Sequence, residues 1–326
     1  METKLLVTVD TEEDWQGPGE AKEPTVNNIY QVPGLQKDIF DGFGIKPVYL
    51  ATHTVVTDPN SVTMLKELYR SGRCEIGAHL HSWFVPPIEK QDIIKKNFQF
   101  ILPYSIEKQK VETLTRAIEE NFQIRPVSFR AGRWGADGET IKILAELGYK
   151  VDVSVTPLVD YTEEGGMDFF DAPFIPYFPS FNDITVPSQE SCNEVLEIPV
   201  TIGFSRMDFE RMKRIYKIAL NFPKALCTIG ILYRTNILRK IKLSPEVATF
   251  SDMRKLTDLC LMRNHKILHL TFHSSINSVG DSLYSRTQKE RNMRMKDLQD
   301  ILDYIVNVKN IKSCTAKEIY EEHQKR

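Results

Sequence analysis

The sequence predicts an α/β fold organised around a parallel sheet or barrel. Short apolar runs rich in β-branched residues alternate with longer amphipathic runs, and polar residues directly follow several of the short runs. The alternation is typical of βα units, and eight short runs suit a complete or an incomplete barrel. The predicted strands are Lys4–Thr11, Pro47–Thr52, Cys74–His79, Val127–Ala131, Val151–Val155, Leu196–Ile202, Ile267–Phe272 and Ile311–Cys314.

Helix boundaries between these strands carry their own signals. Asp58 before Pro59 predicts an N-cap followed by a first-turn proline, and Thr315 with Glu318 predicts a capping box. A helix over 137–147 is expected to end at Gly148, where a left-handed residue closes the last turn before the strand at Val151. Each amphipathic run therefore has a local reason to begin or end where the pattern changes.

Length and composition favour one domain over residues 1–326. The chain has 326 residues with 41% hydrophobic and 26% charged, close to the average for globular proteins, so it has enough apolar material for a core. Two irregular stretches, at about 16–33 and 156–195, predict loop insertions. Loops at the carboxyl ends of barrel strands form the binding site, so both insertions are candidate walls of a substrate groove.

Charge and cysteine usage exclude several classes of function. The net charge of -2, from 42 basic and 44 acidic residues, argues against a broad nucleic-acid-binding surface. Five cysteines without a CxxC pair fit neither a zinc knuckle nor a disulfide framework, and they predict buried free thiols in a reducing compartment; they are Cys74, Cys192, Cys227, Cys260 and Cys314.

The N-terminal apolar run is too short for a signal peptide and passes at once into acidic residues. The most apolar window, Ala225–Leu238, is too short to span a bilayer, so no transmembrane helix is predicted. We expect a cytoplasmic protein, which could work at the membrane face if its substrate is lipid-linked. The sequence makes no prediction of oligomeric state.

The first strand ends in a cluster of carboxylates, Asp10-Thr11-Glu12-Glu13-Asp14. If the extended backbone continues past Asp10, the two-residue period places Asp10 and Glu12 on the same face. A solvated acidic turn is the alternative, and this cluster alone does not decide between them.

The third predicted strand ends in two histidines two residues apart, His79 and His81. In an extended chain both imidazoles project to one side, where neutral nitrogen donors can hold one zinc-like cation. Surface histidines or satisfied core histidines are the alternative. The chain has only seven histidines, so a pair at a strand end favours a ligand role.

Two further strands end in residues suited to catalysis. Arg130 precedes Gly132 at a strand end, where it could hold a carboxylate and keep it ionised; an ordinary surface ion pair is the alternative. His273 ends the strand that contains His269, and a histidine there can act as a general acid or base. His269 lies well inside the strand and is predicted to be structural.

The three tryptophans of the chain, Trp15, Trp83 and Trp134, each follow one of these motifs within five residues. Aromatic rings pack against the flat apolar faces of sugars, so these residues are candidate substrate contacts. Core packing is the alternative, because large aromatic side chains are mostly buried.

The order of these motifs resembles that of the polysaccharide deacetylase family of the NodB-homology type, from Thr8 to about His273. The first motif of that family is an Asp-Asp pair, a base followed by a metal ligand. Asp10 matches the base, Thr11 stands at the ligand position, and the resemblance implies Glu12 as the replacement ligand.

The family's second motif has two histidines four residues apart. Here His79 matches the first and Trp83 stands at the second position, so the resemblance implies His81 as the replacement. These departures are similar to those of a divergent subgroup with a His-Leu-His-x-Trp motif. Asp152, followed by Ser154, looks like part of the fourth motif and is expected near the substrate.

Arg130 matches the arginine that orients the catalytic aspartate, and His273 matches the fifth-motif histidine. The resemblance implies a partly closed, deformed (β/α) barrel of about seven strands. It also implies one divalent metal ion, with zinc as the first expectation and cobalt, nickel or manganese as alternatives. The implied reaction is hydrolysis of an N-acetyl or O-acetyl group on a sugar of a polysaccharide or its precursor.

Two other functions remain open on the sequence. One is a barrel hydrolase that acts on a non-carbohydrate amide, since related folds cleave such bonds with similar ligands. The other is a catalytically silent carbohydrate-binding protein, against which the presence of Asp10, Arg130 and His273 together argues.

Overall fold

The computed structural model describes residues 2–15, 23–88, 98–188, 194–220 and 238–325. Cys192, Cys227 and parts of both predicted insertions, 16–22 and 189–193, lie outside the described residues. Most of the apolar window that follows residue 224 also lies outside them.

Seven parallel strands form a curled sheet in the order β9-β1-β2-β3-β4-β5-β6, and a short strand β10 pairs with the first residues of β1. Residues Leu5 to Thr11 of β1 are all buried, as expected for a strand whose sheet is covered on both faces. The strands are β1 (Lys4–Thr11), β2 (Val48–Ala51), β3 (Glu75–Leu80), β4 (Ser128–Ala131), β5 (Val151–Asp152), β6 (Leu196–Glu197), β7 (Ile202–Phe204), β8 (Lys240–Lys242), β9 (Ile267–His273) and β10 (Lys312–Ser313).

Helices surround this sheet, and the predicted caps are confirmed. The Asp58 carboxylate accepts a hydrogen bond from the backbone N–H of Ser61, and Thr315 forms the expected capping box. Gly148 has a left-handed φ of 79°. The helices are α1 (Val32–Leu35), α2 (His53–Thr57), α3 (Pro59–Arg70), α4 (Tyr104–Phe122), α5 (Gly138–Glu146), α6 (Phe209–Leu220), α7 (Phe250–Met262), α8 (Gln288–Asp303) and α9 (Ala316–Gln324).

The barrel is only partly closed between β6 and β9. The predicted strand Leu196–Ile202 is divided, because Pro199 has no N–H to donate to a ladder and the chain turns there toward β9. The N–H of Thr201 donates to the carbonyl of His269 at 3.1 Å, and that of Leu243 donates to Thr201 at 2.9 Å. Residues beside the antiparallel pair β7-β8 thus fill the position of a further barrel strand.

Alternation along the strands separates two parts of the core. Leu5, Val7 and Val9 belong to the large cluster that packs with the surrounding helices, whereas Leu6 belongs to a smaller cluster with side chains from β2, β5, β6 and β9. Ile319 of α9 belongs to the same smaller cluster. The smaller apolar cluster therefore fills the amino end of the barrel. Polar side chains on the same inward face of the strands fill its carboxyl end.

The described cysteines, Cys74, Cys260 and Cys314, are buried free thiols, as the sequence predicts. No helix in the described part of the chain combines the length and the apolar character that a membrane span requires.

Candidate active site

A cavity of about 250 Å³ opens at the carboxyl ends of the parallel strands. Nine of the ten predicted site residues line it, although they come from β1, β3, β4, β9 and the loops that follow. These nine are Asp10, Glu12, Trp15, His79, His81, Trp83, Arg130, Trp134 and His273.

The parallel register brings the first motifs together. Asp10 lies opposite His273 across β1 and β9, and His79 lies opposite Arg130 across β3 and β4. Because parallel strands end at the same edge of a sheet, residues far apart in sequence converge there.

Three side chains form a cluster that could hold a metal ion. The donor atoms of Glu12, His79 and His81 all lie within 4.8 Å of one another. Glu12 Oε2 is 3.3 Å from His79 Nε2 and 3.1 Å from His81 Nε2. Two ligand atoms of a tetrahedral zinc, each about 2.1 Å from the ion, lie about 3.4 Å apart. The observed separations are close to that value.

The opposite nitrogen of each histidine ring has its own partner. His79 Nδ1 lies 3.0 Å from the carbonyl oxygen of Arg130, and His81 Nδ1 lies 2.8 Å from the Glu13 carboxylate. The His81 ring also stacks on Trp83, with ring centroids 4.4 Å apart. A histidine that donates from Nδ1 presents the lone pair of Nε2 outward, which is the tautomer that a metal ligand needs.

The electrostatic field in this cluster favours a positive charge. Burial by itself would lower the pKa of His81, but the Glu13 and Glu12 carboxylates raise it to about 10. Burial would likewise raise the pKa of Glu12, whereas His273 and His81 hold it well below its ordinary value. An oxygen and two imidazole nitrogens in such a field are donors suited to zinc and its neighbours in the first transition series.

Asp10 forms a buried ion pair with Arg130. The guanidinium donates from Nη1 to Asp10 Oδ1 and to Thr271 Oγ1, and from Nη2 to Thr8 Oγ1 at 2.8 Å. Its Nε donates to the carbonyl of Val153 at 3.1 Å. Burial raises the pKa of the Asp10 carboxyl, but the charges of Arg130, His79 and His273 together outweigh burial, and the pKa lies below its ordinary value. Asp10 is therefore ionised at neutral pH.

His273 lies on the other side of the cavity. Its Nδ1 is 2.7 Å from Glu246 Oε1, and its backbone N–H donates to the same oxygen at 2.8 Å. Its Nε2 lies 3.8 Å from both Asp10 Oδ2 and Glu12 Oε1. Burial would lower the pKa of His273, whereas Glu246 and then Glu12 raise it to about 10. The ring stacks on Tyr284 at 5.8 Å.

His269 has the structural position predicted for it. It is fully buried, its Nε2 lies 2.9 Å from Thr8 Oγ1 and its Nδ1 lies 3.0 Å from the carbonyl of Ile198. Burial and the Arg130 charge lower its pKa to about 3, so the ring is neutral at physiological pH.

The tryptophans contribute to different parts of the wall. Trp15 is 38% exposed, and Trp83 is only 5% exposed beneath the His81 ring. Trp134 has a left-handed φ of 62°, and its ring contacts the Arg130 guanidinium at 4.8 Å. A left-handed backbone at a bulky residue is strained, and such strain is found where a side chain is held in a functional position.

Asp152 does not line this cavity. It is fully buried, it lies opposite Glu197 in the register of β5 and β6, and it accepts a hydrogen bond from Ser154 at 2.7 Å. Ser154 Oγ accepts in turn from the N–H of Ala131. Asp152 is therefore connected to the site only indirectly, through Ser154 and the backbone of Ala131, the residue after Arg130.

Two carboxylates of the site were not predicted. Glu13 belongs to the acidic cluster after β1, but the two-residue period gave no reason to place it beside His81. Glu246 lies in a loop after β8, with no local signal of its contact with His273. The sequence offered only a general signal for these two carboxylates: a histidine ring at a buried strand end needs a hydrogen-bond partner.

Solved structures with the same fold were found by structural comparison. A protein from Parabacteroides distasonis, provisionally described as a glycoside hydrolase/deacetylase, has a TM-score of 0.64 and 12% identity over 99% of this chain and 72% of that chain. A protein from Pseudomonas aeruginosa PAO1, provisionally described as a polysaccharide deacetylase, has a TM-score of 0.52 and 13% identity over 98% and 90% of the two chains.

An allantoinase has a TM-score of 0.52 and 12% identity, covering 98% of this chain and 89% of its own. No protein-family model and no curated protein matches the sequence. The chain therefore shares with solved structures described as polysaccharide deacetylases their fold, a curled and partly closed (β/α) barrel.

Proposed function

We propose that this protein is a metal-dependent hydrolase that removes an acetyl group from an N-acetylated or O-acetylated sugar of a polysaccharide or its precursor. The observation that carries the proposal is the convergence on one cavity of a side-chain cluster that could hold a metal ion, of Asp10 paired with Arg130, and of His273. These are the groups that an acyl hydrolysis requires: a place for the carbonyl, a base and an acid.

Glu12, His79 and His81 would hold the cation, with Glu13 and the Arg130 carbonyl orienting the two rings. A divalent cation bound there, with zinc as the first expectation, would polarise the acyl carbonyl and lower the pKa of a water molecule. Cobalt, nickel and manganese accept the same donor set.

Asp10 would accept the proton of the attacking water. Its ion pair with Arg130 keeps it ionised and fixes one of its oxygens, and the other lies 3.8 Å from His273 Nε2. His273, protonated and held by Glu246, would donate a proton to the leaving nitrogen or oxygen. Trp15 and Trp134, whose rings are partly exposed, would pack against the sugar rings, whereas Trp83 is buried beneath His81.

A barrel hydrolase for a non-carbohydrate amide is the second candidate, because the allantoinase has the same fold with a TM-score similar to that of the P. aeruginosa protein. The aromatic walls favour the sugar. Trp15 is partly exposed where a flat apolar face could lie against it.

Acetate release by the purified chain from N-acetylglucosamine oligomers and from O-acetylated xylan tests the proposal, and formation of allantoate from allantoin tests the second candidate. We expect release from an acetylated sugar, loss of activity after chelation, and recovery with zinc or cobalt. D10N, H79A and H273A should each lower kcat/KM by at least about 100-fold, since each removes a separate catalytic group.

E210Q serves as a surface control, because Glu210 is exposed on α6 and far from the motifs in sequence. If the protein hydrolysed allantoin and no acetylated sugar, its substrate would be a non-carbohydrate amide and the proposed substrate class would be wrong. Full metal-dependent acetate release by H79A and H273A would contradict the assigned residues.

A further inference from the structure

A second cavity of about 260 Å³ lies beside β8. Three basic residues line it, Arg239, Lys240 and Lys242, against a single acidic one, Asp252. The other lining residues are apolar: Val159, Ile202, Ile241, Val247 and Ala248. A cavity with apolar walls and an excess of positive charge attracts anions.

Two of the three cations already have partners. Arg239 forms an ion pair with Asp252, and the Lys240 ammonium donates to the carbonyl of Leu158 at 2.9 Å. The single acidic side chain of the cavity is thereby engaged. No other carboxylate of the described residues lines the cavity, and the carboxylates that act on Lys242 electrostatically, Glu246 and Asp10, lie outside its lining.

The Lys242 ammonium rests 4.4 Å from the centroid of the Trp134 ring. Across the residues that the structure describes, this ring is its direct contact, and it makes no hydrogen bond or ion pair there. Burial lowers the pKa of Lys242 to about 8 and also lowers that of Lys240. A desolvated ammonium group is costly, and an oxyanion beside Lys242 would offset that cost.

The second cavity adjoins the catalytic one through Trp134 and the end of β8. Trp134 lines the catalytic cavity, while its ring contacts Lys242. Four residues beyond Lys242, the Glu246 carboxylate holds His273. Lys242 also lies within electrostatic range of Glu246, Arg130 and Asp10. A ligand in the second cavity would therefore lie next to the catalytic groups.

We propose that this second cavity is an oxyanion-binding site in which Lys242 is the principal ligand, suited to the carboxylate or phosphate ester of a sugar derivative. Where the anion belongs to the substrate, the site makes Lys242 a specificity determinant for acidic or phosphorylated sugars. That second statement rests on the function proposed above, whereas anion binding itself does not.

Isothermal titration of the purified chain with inorganic phosphate and with glucuronate, with and without zinc, tests the site. We expect saturable binding of at least one probe to the wild type and about tenfold or greater weakening in K242M, because a charge-assisted hydrogen bond is lost. K242R keeps the positive charge and should retain most of the affinity.

K213M is the matched control. Lys213 also packs over an aromatic ring, Phe174 at 5.9 Å, but it pairs with Asp171 and lines neither cavity. Equal affinity in wild type and K242M, or no saturable binding of either probe to folded wild type, would overturn the proposal. Thermal unfolding of each variant verifies that it folds.

A kinetic comparison identifies the source of the anion. If the substrate carries it, K242M should lower the preference for an acidic over a neutral acetylated sugar, measured as a ratio of kcat/KM values, by about tenfold. If K242M weakens phosphate binding without changing that ratio, the site takes a free anion. If no acetylated sugar released acetate, the proposed hydrolysis would be wrong, but the result on anion binding at Lys242 would still stand.

Discussion

The Glu13 carboxylate lies 2.8 Å from Nδ1 of His81, while Nε2 of the same ring lies 3.1 Å from Glu12. One imidazole is thus held between a carboxylate that orients it and a carboxylate that would share its metal. Partners of this kind fix the ring tautomer and increase the basicity of the ligand nitrogen. This arrangement makes His81 suited to ligation. Trp83, which stands where the related family has its second histidine, stacks on the His81 ring instead.

Replacing Glu13 should therefore weaken metal binding without removing a ligand. We expect E13Q to bind zinc about 10- to 100-fold less tightly, the usual effect of losing such a partner. Competition with a chromophoric chelator measures the affinity, and E210Q on the exposed face of α6 is the control. An unchanged zinc affinity in folded E13Q would refute the orienting role.

Gly132 provides a steric test of the same site. A Cβ at this position would lie 2.5 Å from the backbone oxygen of Leu80 and 2.9 Å from Cδ2 of His81. We expect G132A to lower the free energy of unfolding by about 1–3 kcal/mol, the usual cost of overpacking, and to weaken zinc binding by displacing the His81 ring.

Gly42 is the matched control, because a Cβ there meets no atom within 4 Å. Chemical denaturation and chelator competition should leave G42A close to the wild type. If G132A matched G42A in both measurements, the close approach of its backbone to His81 would not constrain the site.

Glu246 should control the protonation of His273. Burial lowers the pKa of His273, but Glu246 and Glu12 raise it to about 10, so removing one negative charge should move the pKa down toward its ordinary value. NMR titration of metal-free E246Q against the wild type measures the change. Glutamine still accepts the hydrogen bonds, so an identical titration curve would show that the charge of Glu246 has no influence.

Glu107 of α4, which lies outside the candidate active site, should make the stability of the protein depend on pH. It accepts hydrogen bonds from Thr140 Oγ1 at 2.6 Å and from Gln99 at 2.8 Å, yet burial raises its pKa from 4.5 to about 7. The folded state therefore binds this proton more tightly than the unfolded state does. Its contribution to stability is full below pH 4.5 and is lost as the pH rises through about 7.

E107Q removes this dependence, because the amide does not ionise. Relative to the wild type it should gain up to roughly 3 kcal/mol at pH 8, at about 1.4 kcal/mol per pKa unit, and nothing near pH 4. Urea unfolding at both pH values measures the difference, with the exposed Glu120 of the same helix changed to Gln as control. A gain that is equal at both pH values would contradict the titration of Glu107.

The sequence by itself determined the strand positions and located most residues of the candidate site. β1 has the predicted bounds, and seven other predicted strands overlap observed ones. Periodicity and capping are local properties, and they also placed Asp10, His79, Arg130 and His273 at strand ends. Since parallel strands end at one edge of a sheet, their convergence followed from the fold class alone.

Only the tertiary structure decided which groups surround those side chains. Glu246 reaches His273 from a loop after β8, and Lys242 reaches Trp134 from β8 itself. Thr201 and Leu243 fill the gap beside β9 after Pro199 has interrupted the predicted strand. Such contacts depend on how β8, the loop after it and other distant segments pack against the barrel, so no local pattern encodes them. The strand ends located the candidate site, and the packing of these segments determined the charges around it.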